Sequence, residues 1–293
     1  IPPYRIDENL RQGADHRIEL GFEPVLAFAA RDGSFLGNLE QCNGCGDCLK
    51  AGPTMCPTFQ VTAEEIMSTR GRANTIRAAL EGRFKTGEPL QANELEQALS
   101  NCLSCMACTL ECPSNVNMTL LKAELIHARL RKTGLTVRER MVSSVDLLSR
   151  AASIVPRLAN AVLSLRLVRN ALHNWVGFSK ERPLPCFTLQ RFDRWFSRRA
   201  VPQPGSGSQG RVILWDDTFT RYYEPSVGKG AVAILEACGF EVLLPKGRAC
   251  CGRPAFSVGR LDRSKALGEH NIGLLRDSFG PFPIIFLEPS CFS

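Results

Sequence analysis

Apolar residues recur at helical spacing from Glu64 to Gly82, from Ala92 to Ser100, and again from Met141 to Arg199. The last stretch is rich in Leu, Val, Ala and Arg, and it is broken at Pro156 and at Pro183 and Pro185. Beyond residue 210 the pattern changes to short apolar runs that alternate with helical ones. Arg211-Val-Ile-Leu-Trp215, Glu241-Val-Leu-Leu244 and Pro283-Ile-Ile-Phe-Leu-Glu288 read as strands. Pro225 to Cys238, stopped by Gly239, and Leu261 to Phe279 read as the helices between them. Strand, helix, strand, helix, strand predicts a parallel α/β sheet joined by right-handed crossovers. Residues 1–40 are irregular and read as a connector, and Pro202-Gln-Pro-Gly-Ser-Gly-Ser-Gln-Gly210 has the composition of a flexible linker.

Composition narrows the class. With 293 residues, 44% hydrophobic and 22% charged, the chain suits a soluble globular protein of one large or two ordinary domains, which excludes general disorder. No apolar run approaches the roughly 18 residues needed to span a bilayer. The most apolar region, Ala151 to Leu167, is interrupted by Pro156, Arg157 and Arg166. The net charge of +7 sits partly in Arg129 to Arg140 and Arg191 to Arg199. Solvated helix faces explain it simply; a surface for an acidic partner or anionic lipid headgroups is the functional alternative. Ile1-Pro2-Pro3 carries no initiator Met or signal peptide, and Cys291-Phe292-Ser293 follows an apolar run directly. The expectation is a segment of a longer polypeptide, open at both ends.

Thirteen cysteines are present, eight of them in two groups. A secreted disulfide scaffold is a small chain with a poor core, which this is not, so metal binding in a reducing compartment fits better. Cys102-Leu-Ser-Cys105-Met-Ala-Cys108-Thr-Leu-Glu-Cys112-Pro113 is C-x2-C-x2-C-x3-C-P, the bacterial ferredoxin run. Its spacing wraps three thiolates around one face of a cubane while the fourth, before proline, serves the other cluster. Cys42-Asn-Gly-Cys45-Gly-Asp-Cys48 repeats the C-x2-C-x2-C step, and Cys56-Pro57 follows after seven residues instead of three. Gly44, Gly46 and Gly52 leave its backbone free to turn N–H groups toward sulfur. The crossover rule assigns Cys42, Cys45, Cys48 and Cys112 to one [4Fe-4S] cluster and Cys102, Cys105, Cys108 and Cys56 to another. Zinc, the rival, needs four ligands per site and gains nothing from a third C-x2 step or from Cys-Pro, and nucleic-acid binding by a zinc ribbon recedes with it.

Between the groups, Ser68-Thr-Arg-Gly-Arg-Ala-Asn-Thr-Ile-Arg77 places basic residues near the cysteines, either as packing and surface charge or to offset cluster charge. The long helical insert resembles the α-helical ferredoxin type of succinate dehydrogenase-like iron–sulfur subunits. Farther along, Cys250-Cys251-Gly252 follows the second strand and Cys291 the third, while the first ends at Asp216-Asp217-Thr218. A parallel sheet puts all three turns at its carboxyl edge, where α/β sheets place ligands. Cys250, Cys251 and Cys291 are therefore a candidate redox or metal site, set against structural thiols. Cys186 and Cys238 read as packing residues, and His16, His127, His173 and His270 form no set.

Together these motifs resemble the fusion proteins that join an FAD-linked oxidase domain to an iron–sulfur, cysteine-rich domain, among them D-lactate and D-2-hydroxyglutarate dehydrogenases. The resemblance covers nearly the whole chain. It rests on Pro2-Pro-Tyr-Arg-Ile-Asp-Glu-Asn-Leu10, Met55-Cys-Pro57, Ser68-Thr-Arg-Gly-Arg-Ala-Asn74, Cys102-Leu-Ser-Cys-Met-Ala-Cys108, Glu111-Cys-Pro-Ser-Asn115, Asp217-Thr-Phe-Thr220, Cys250-Cys-Gly-Arg-Pro254 and Leu287-Glu-Pro-Ser-Cys291. More distant likenesses are the glycolate oxidase iron–sulfur subunit, the iron–sulfur subunit of anaerobic glycerol-3-phosphate dehydrogenase, and heterodisulfide reductase subunits. Relatives of the last type carry a cysteine where this chain has Asp216-Asp217-Thr218, and Cys-x-x-Cys where it has Cys291.

The resemblance implies a multidomain α plus α/β protein. Residues 1–40 would connect to an upstream FAD domain and 41–135 form a helical ferredoxin-type domain with two [4Fe-4S] clusters. Residues 136–201 would be a helical connector, 202–210 a linker, and 211–293 the first half of a cysteine-rich domain whose second Cys-Cys-Gly repeat follows. Electrons would pass from FAD, held by an oxidase domain in the same chain or a partner, to an acceptor of the quinone or cytochrome class. The alternatives are a separate iron–sulfur subunit of a quinone-linked glycolate or glycerol-3-phosphate dehydrogenase, docking through basic amphipathic helices from Val137 to Trp175, and a thiol or disulfide reductase component. The expected location is the cytoplasm, with peripheral attachment to the inner face of the membrane as the variant; nucleic acid is not an expected partner.

Overall fold

The computed structural model describes residues 17–50, 55–84, 87–200, 208–278 and 280–292. Ile1-Pro2-Pro3, the Pro2 to Leu10 likeness, His16, Gly52 and most of the 202–210 linker lie outside them. The chain divides into two compact units, residues 1–133 and 134–293. It is mostly helical, with one small parallel sheet in the second unit.

The described part of the first unit holds α1 (Phe35–Glu40), α2 (Pro57–Thr62), α3 (Thr69–Leu80), α4 (Asn93–Ser100), α5 (Ala107–Glu111) and α6 (Met118–Thr133). Ser34 and Ser68 start α1 and α3 by accepting from the amides of Gly37 and Gly71, which satisfies N–H groups the first turn leaves orphaned. Pro57 starts α2, where its missing N–H costs nothing. Ile76, Leu95, Leu99, Leu121 and Leu125 meet in one core with Phe35 and Leu39 of α1. Each such side chain, fully buried, contributes roughly 1.5–3 kcal/mol.

Residues 17–40 differ from the connector expected of them. Phe22 and Phe28 stand edge-on to Phe35 at 5.4 and 6.0 Å. Glu124 on α6, fully buried, accepts from the amides of Val25 and Leu26. An irregular strand of chain lacks periodicity in its sequence, yet it joins a core when a buried carboxylate satisfies its N–H groups.

The second unit begins with α7 (Val137–Ser143), closed at its start by a reciprocal capping box between Thr136 and Glu139. Then follow α8 (Val145–Ala152), α9 (Pro156–Ser164), α10 (Arg166–Ala171) with a terminal π turn at Leu172–Val176, and α11 (Phe192–Arg198). The α/β part comprises β1 (Arg211–Trp215), α12 (Thr218–Tyr222), α13 (Pro225–Ala237), β2 (Glu241–Leu243), α14 (Arg253–Ser257), α15 (Leu261–Ser278) and β3 (Ile284–Phe286). The sheet order is β2-β1-β3, all parallel, with Val212 opposite Val242 and Leu214 opposite Ile285. β1 is central and is buried from Val212 to Trp215, as a strand covered on both faces must be.

The segment expected to be a separate connector, 136–201, clusters with the sheet in one unit. Phe192 of α11 packs against Val212, Leu214 and Val232, and Arg263 of α15 pairs with Asp146 of α8 at 2.8 Å. Cys186 and Cys238 are exposed, which corrects their reading as packing residues. Cys238 sits at the C-cap of α13, beyond the turn that faces the sheet. Among the described residues no helix is long and apolar enough to cross a membrane.

Candidate metal centres

Both C-x2-C-x2-C loops fold the same way, and the backbone shows how. The residue before the second cysteine and the residue after it are left-handed in each: Gly44 (φ 79°) and Gly46 (φ 78°) in one, Ser104 (φ 51°) and Met106 (φ 64°) in the other. Two such inversions around one cysteine wrap the loop so that three sulfurs face one space. Glycine adopts this region freely, whereas a side chain costs roughly 1–2 kcal/mol there, so the second loop is held by its surroundings. Cys56 and Cys112 are both extended, as the residue before a proline prefers, and each is turned across to the opposite loop.

The result is two cavities. Cys42, Cys45, Cys48 and Cys112 line one. Cys56, Cys102, Cys105 and Cys108 line the other. Each cavity thus takes three cysteines from its own loop and the cysteine-proline residue of the opposite one. Met55 and Thr69 line both, with the Thr69 hydroxyl 3.6 Å from the Met55 sulfur, so these two side chains separate the cavities. Cys42, Cys48, Cys56 and Cys112 are buried, while Cys45 and Cys105 are exposed, one at each cavity.

Helix α3 supplies the electrostatics. The amide of Arg70, in its first turn, donates to the Cys48 sulfur at 3.4 Å, at the end where the helix dipole is positive. Arg72 is buried, and it donates from Nη1 to the Cys56 sulfur at 3.1 Å and from Nε to the Ala98 carbonyl at 2.8 Å. Arg77, also buried, donates to the carbonyls of Leu39 and Cys42, and Lys122 to that of Cys102. The basic run from Ser68 to Arg77 is thus an interior feature at Arg72 and Arg77, and surface charge does not account for it. The start of α3 also depends on a missing side chain: a Cβ on Gly71 would stand 1.9 Å from the Glu65 carbonyl oxygen.

Burial shifts the thiols unequally. It pushes Cys108 up to about 11, and raises Cys48 as well. At Cys56 burial pushes the same way, but the Thr58 hydroxyl, the Phe59 amide and Arg72 outweigh it and the thiol falls below its ordinary value.

In the second unit the three carboxyl-end turns of the sheet do come together. Cys250 stands beside Cys251 and Thr218, and Cys251 beside Cys291. The contact with Cys251 and burial both raise the Cys250 thiol. At Cys251 the Cys250 contact lowers the thiol, and Cys291 and burial outweigh it. Gly252 (φ 93°) makes the turn after the pair, and Asn271 holds it by donating to the Cys250 carbonyl at 3.0 Å. Among the described residues no three His, Cys, Asp or Glu side chains close on a single metal ion, here or at the two quartets.

Asp216 and Asp217, at the end of β1, have structural work. Asp217 caps α12 through the amides of Phe219 and Thr220. Asp216, fully buried, binds Arg221 at 2.6 Å and Arg248 at 3.0 Å. Sequence reading missed this triad and Asn271, because partners 32 and 21 residues away leave no periodic signal.

Comparison with protein families matches residues 38–116 to a 4Fe-4S dicluster domain and residues 218–293 to a cysteine-rich domain. The chain is 26% identical over 166 residues to a subunit of anaerobic glycerol-3-phosphate dehydrogenase from Escherichia coli K12, covering 56% of this chain and 41% of that one. It is 25% identical over 270 residues to D-2-hydroxyglutarate dehydrogenase of the same organism, covering 76% and 26%. It is 24% identical over 237 residues to the glycolate oxidase iron–sulfur subunit of that organism, covering 80% and 51%. The chain thus spans about half or less of the length of these relatives. No solved structure matches it. Both cysteine quartets lie inside the first matched region. The Cys250-Cys251 turn, β2 and β3 lie inside the second, and β1 just before it. The chain carries a 4Fe-4S dicluster domain followed by a cysteine-rich domain, and it is related to iron–sulfur subunits and domains of oxidoreductases.

Proposed function

We propose that Cys42, Cys45, Cys48 and Cys112 hold one [4Fe-4S] cluster and Cys102, Cys105, Cys108 and Cys56 a second, and that the chain relays electrons within a flavin-dependent 2-hydroxy-acid dehydrogenase of the D-lactate or D-2-hydroxyglutarate type. The observation that carries this reading is the pair of cysteine quartets on either side of Met55 and Thr69. The donor set fits: four thiolates each, with N–H groups of Arg70 and Arg72 directed at sulfur. When bound, the clusters supply one-electron transfer. The protein keeps Cys48 and Cys56 out of water, places a backbone amide beside the first and a guanidinium beside the second, and leaves Cys45 and Cys105 facing solvent, where a donor and an acceptor can approach. The FAD-binding oxidase domain, in the same chain or a partner, and an acceptor of the quinone or cytochrome class complete the proposal. Likeness to a D-2-hydroxyglutarate dehydrogenase supports the substrate class.

Anaerobic purification with iron, acid-labile sulfide and EPR analysis tests the centres. About eight iron and eight sulfide per chain are expected for two cubanes; zinc without sulfide overturns the assignment.

One observation favours a second arrangement, a peripheral subunit on the inner face of the membrane. Ile154, Val155, Leu158, Leu165, Leu167 and Trp175 are more than half exposed on or beside α9 and α10, with Arg157, Arg166 and Arg169 among them. Apolar side chains interleaved with arginines suit an anionic membrane surface. In that case the relevant likenesses are the iron–sulfur subunit of glycolate oxidase and the glycerol-3-phosphate dehydrogenase subunit.

A further inference from the structure

The second unit contains a cavity of about 500 Å³ beside the Cys250 turn, within the size range of small-molecule sites. Its walls carry five arginines, Arg150, Arg191, Arg221, Arg248 and Arg263, together with His270. Against them stand two aspartates of the lining, Asp146 and Asp193, and Asp216 behind it.

The carboxylates do not balance the guanidinium groups. Asp146 is taken by Arg263 at 2.8 and 3.1 Å, and Asp193 by Arg191. Asp216 alone serves both Arg221 and Arg248, whose side chains are 9% and 2% exposed. Arg150 has no ion-pair or hydrogen-bond partner among the described residues and reaches the same cavity. Five positive charges facing three negative ones leave two in excess. One of these lies on the buried Arg221 and Arg248, where an unbalanced charge is costly unless a counter-ion sits against it, and the other on the exposed Arg150. Arginine forks match the paired oxygens of carboxylate and phosphate groups.

We propose that this cavity binds a small organic dianion, a phosphate ester or a dicarboxylate, with its charged groups against Arg150 and the Arg221–Arg248 pair. Arg248, Ala249 and Cys250 line the same cavity, so a bound anion lies next to the cysteine-rich turn. This site is separate from the two cysteine quartets, and it does not depend on their occupancy.

Isothermal titration of the full-length protein with inorganic phosphate and with succinate, against acetate at matched ionic strength, tests the proposal. Saturable one-to-one binding of phosphate or succinate, and none of acetate, is expected; the tighter of the two identifies the phosphate or the carboxylate class. Arg150→Ala, at an exposed position without partners, should weaken binding about tenfold, the value of one charge-assisted hydrogen bond. Arg248→Met leaves Asp216 paired with Arg221 alone and should weaken it at least as much. No saturable binding to the wild type, or binding unchanged in Arg150→Ala, overturns the proposal. Arg150→Ala decides if Arg248→Met does not fold.

Discussion

Arg72 Nη1 donates to the sulfur of Cys56 across 3.1 Å, and Arg72 is 2% exposed. Under the proposed ligand set, a buried guanidinium beside this sulfur favours the more negative, reduced form of the centre it holds. Arg72→Gln is expected to lower the midpoint potential of one centre by tens of millivolts and leave the other in place, while Arg72→Lys falls between. EPR-monitored redox titration reads this. The same change strips the Ala98 carbonyl of a donor, so a fall in stability of about 1–3 kcal/mol accompanies it.

Cys56 is separated from Cys48 by a longer interval than its counterpart Cys112 from Cys108. Cys56→Ser should reduce iron and sulfide from about eight to about four per chain, through loss of one cubane. Cys238→Ser, at an exposed position, should retain the full content. Equal iron in both variants would remove Cys56 from the ligand set.

Gly71 and Gly82 make a matched pair. A Cβ at Gly71 meets the Glu65 carbonyl oxygen at 1.9 Å, a backbone atom that cannot swing aside; at Gly82 (φ 69°) it meets nothing within 4 Å. Gly82→Ala should cost about 1–2 kcal/mol from the left-handed backbone alone. Gly71→Ala should cost more, through displacement of α3, and should also perturb the centre at Cys48. Chemical denaturation of the two variants side by side checks the order.

Glu124 makes stability depend on pH. Burial raises its carboxyl above the ordinary 4.5, and the amides of Leu26 and Val25 offset this only in part. The folded state therefore holds the proton more tightly than the unfolded chain. Its contribution is fully present below about pH 4.5 and is lost as pH rises through the raised value. Glu124→Gln keeps an acceptor for both amides and removes the titration. The variant should gain on the wild type as pH rises above that range, in unfolding measured at each pH; a constant difference would rule out Glu124 as the source.

The exposed apolar side chains of α9 and α10 are the surface that peripheral attachment to a membrane would use. Leu158→Ser with Leu167→Ser is expected to abolish flotation of the protein with vesicles containing anionic lipid and to leave iron content unchanged. Binding to vesicles that persists in this variant would exclude α9 and α10 as the docking surface.

Much of this protein is written locally. The spacing of Cys102, Cys105 and Cys108 shapes its own loop, and Gly44 and Gly46 permit the matching one, because such motifs act through neighbouring backbone dihedrals. Apolar runs at Val212 and Val242 with a helix between them suffice for a parallel pair, since crossovers have one favoured hand. The tertiary structure decided the rest. It turned Arg72 and Arg77 inward, drew residues 17–40 into the core through Glu124, and gathered Arg150, Arg191, Arg221, Arg248 and Arg263 around one cavity. These arrangements join residues up to about a hundred positions apart. Their stability comes from burial and from pairing of charges out of water, and neither leaves a period in the sequence.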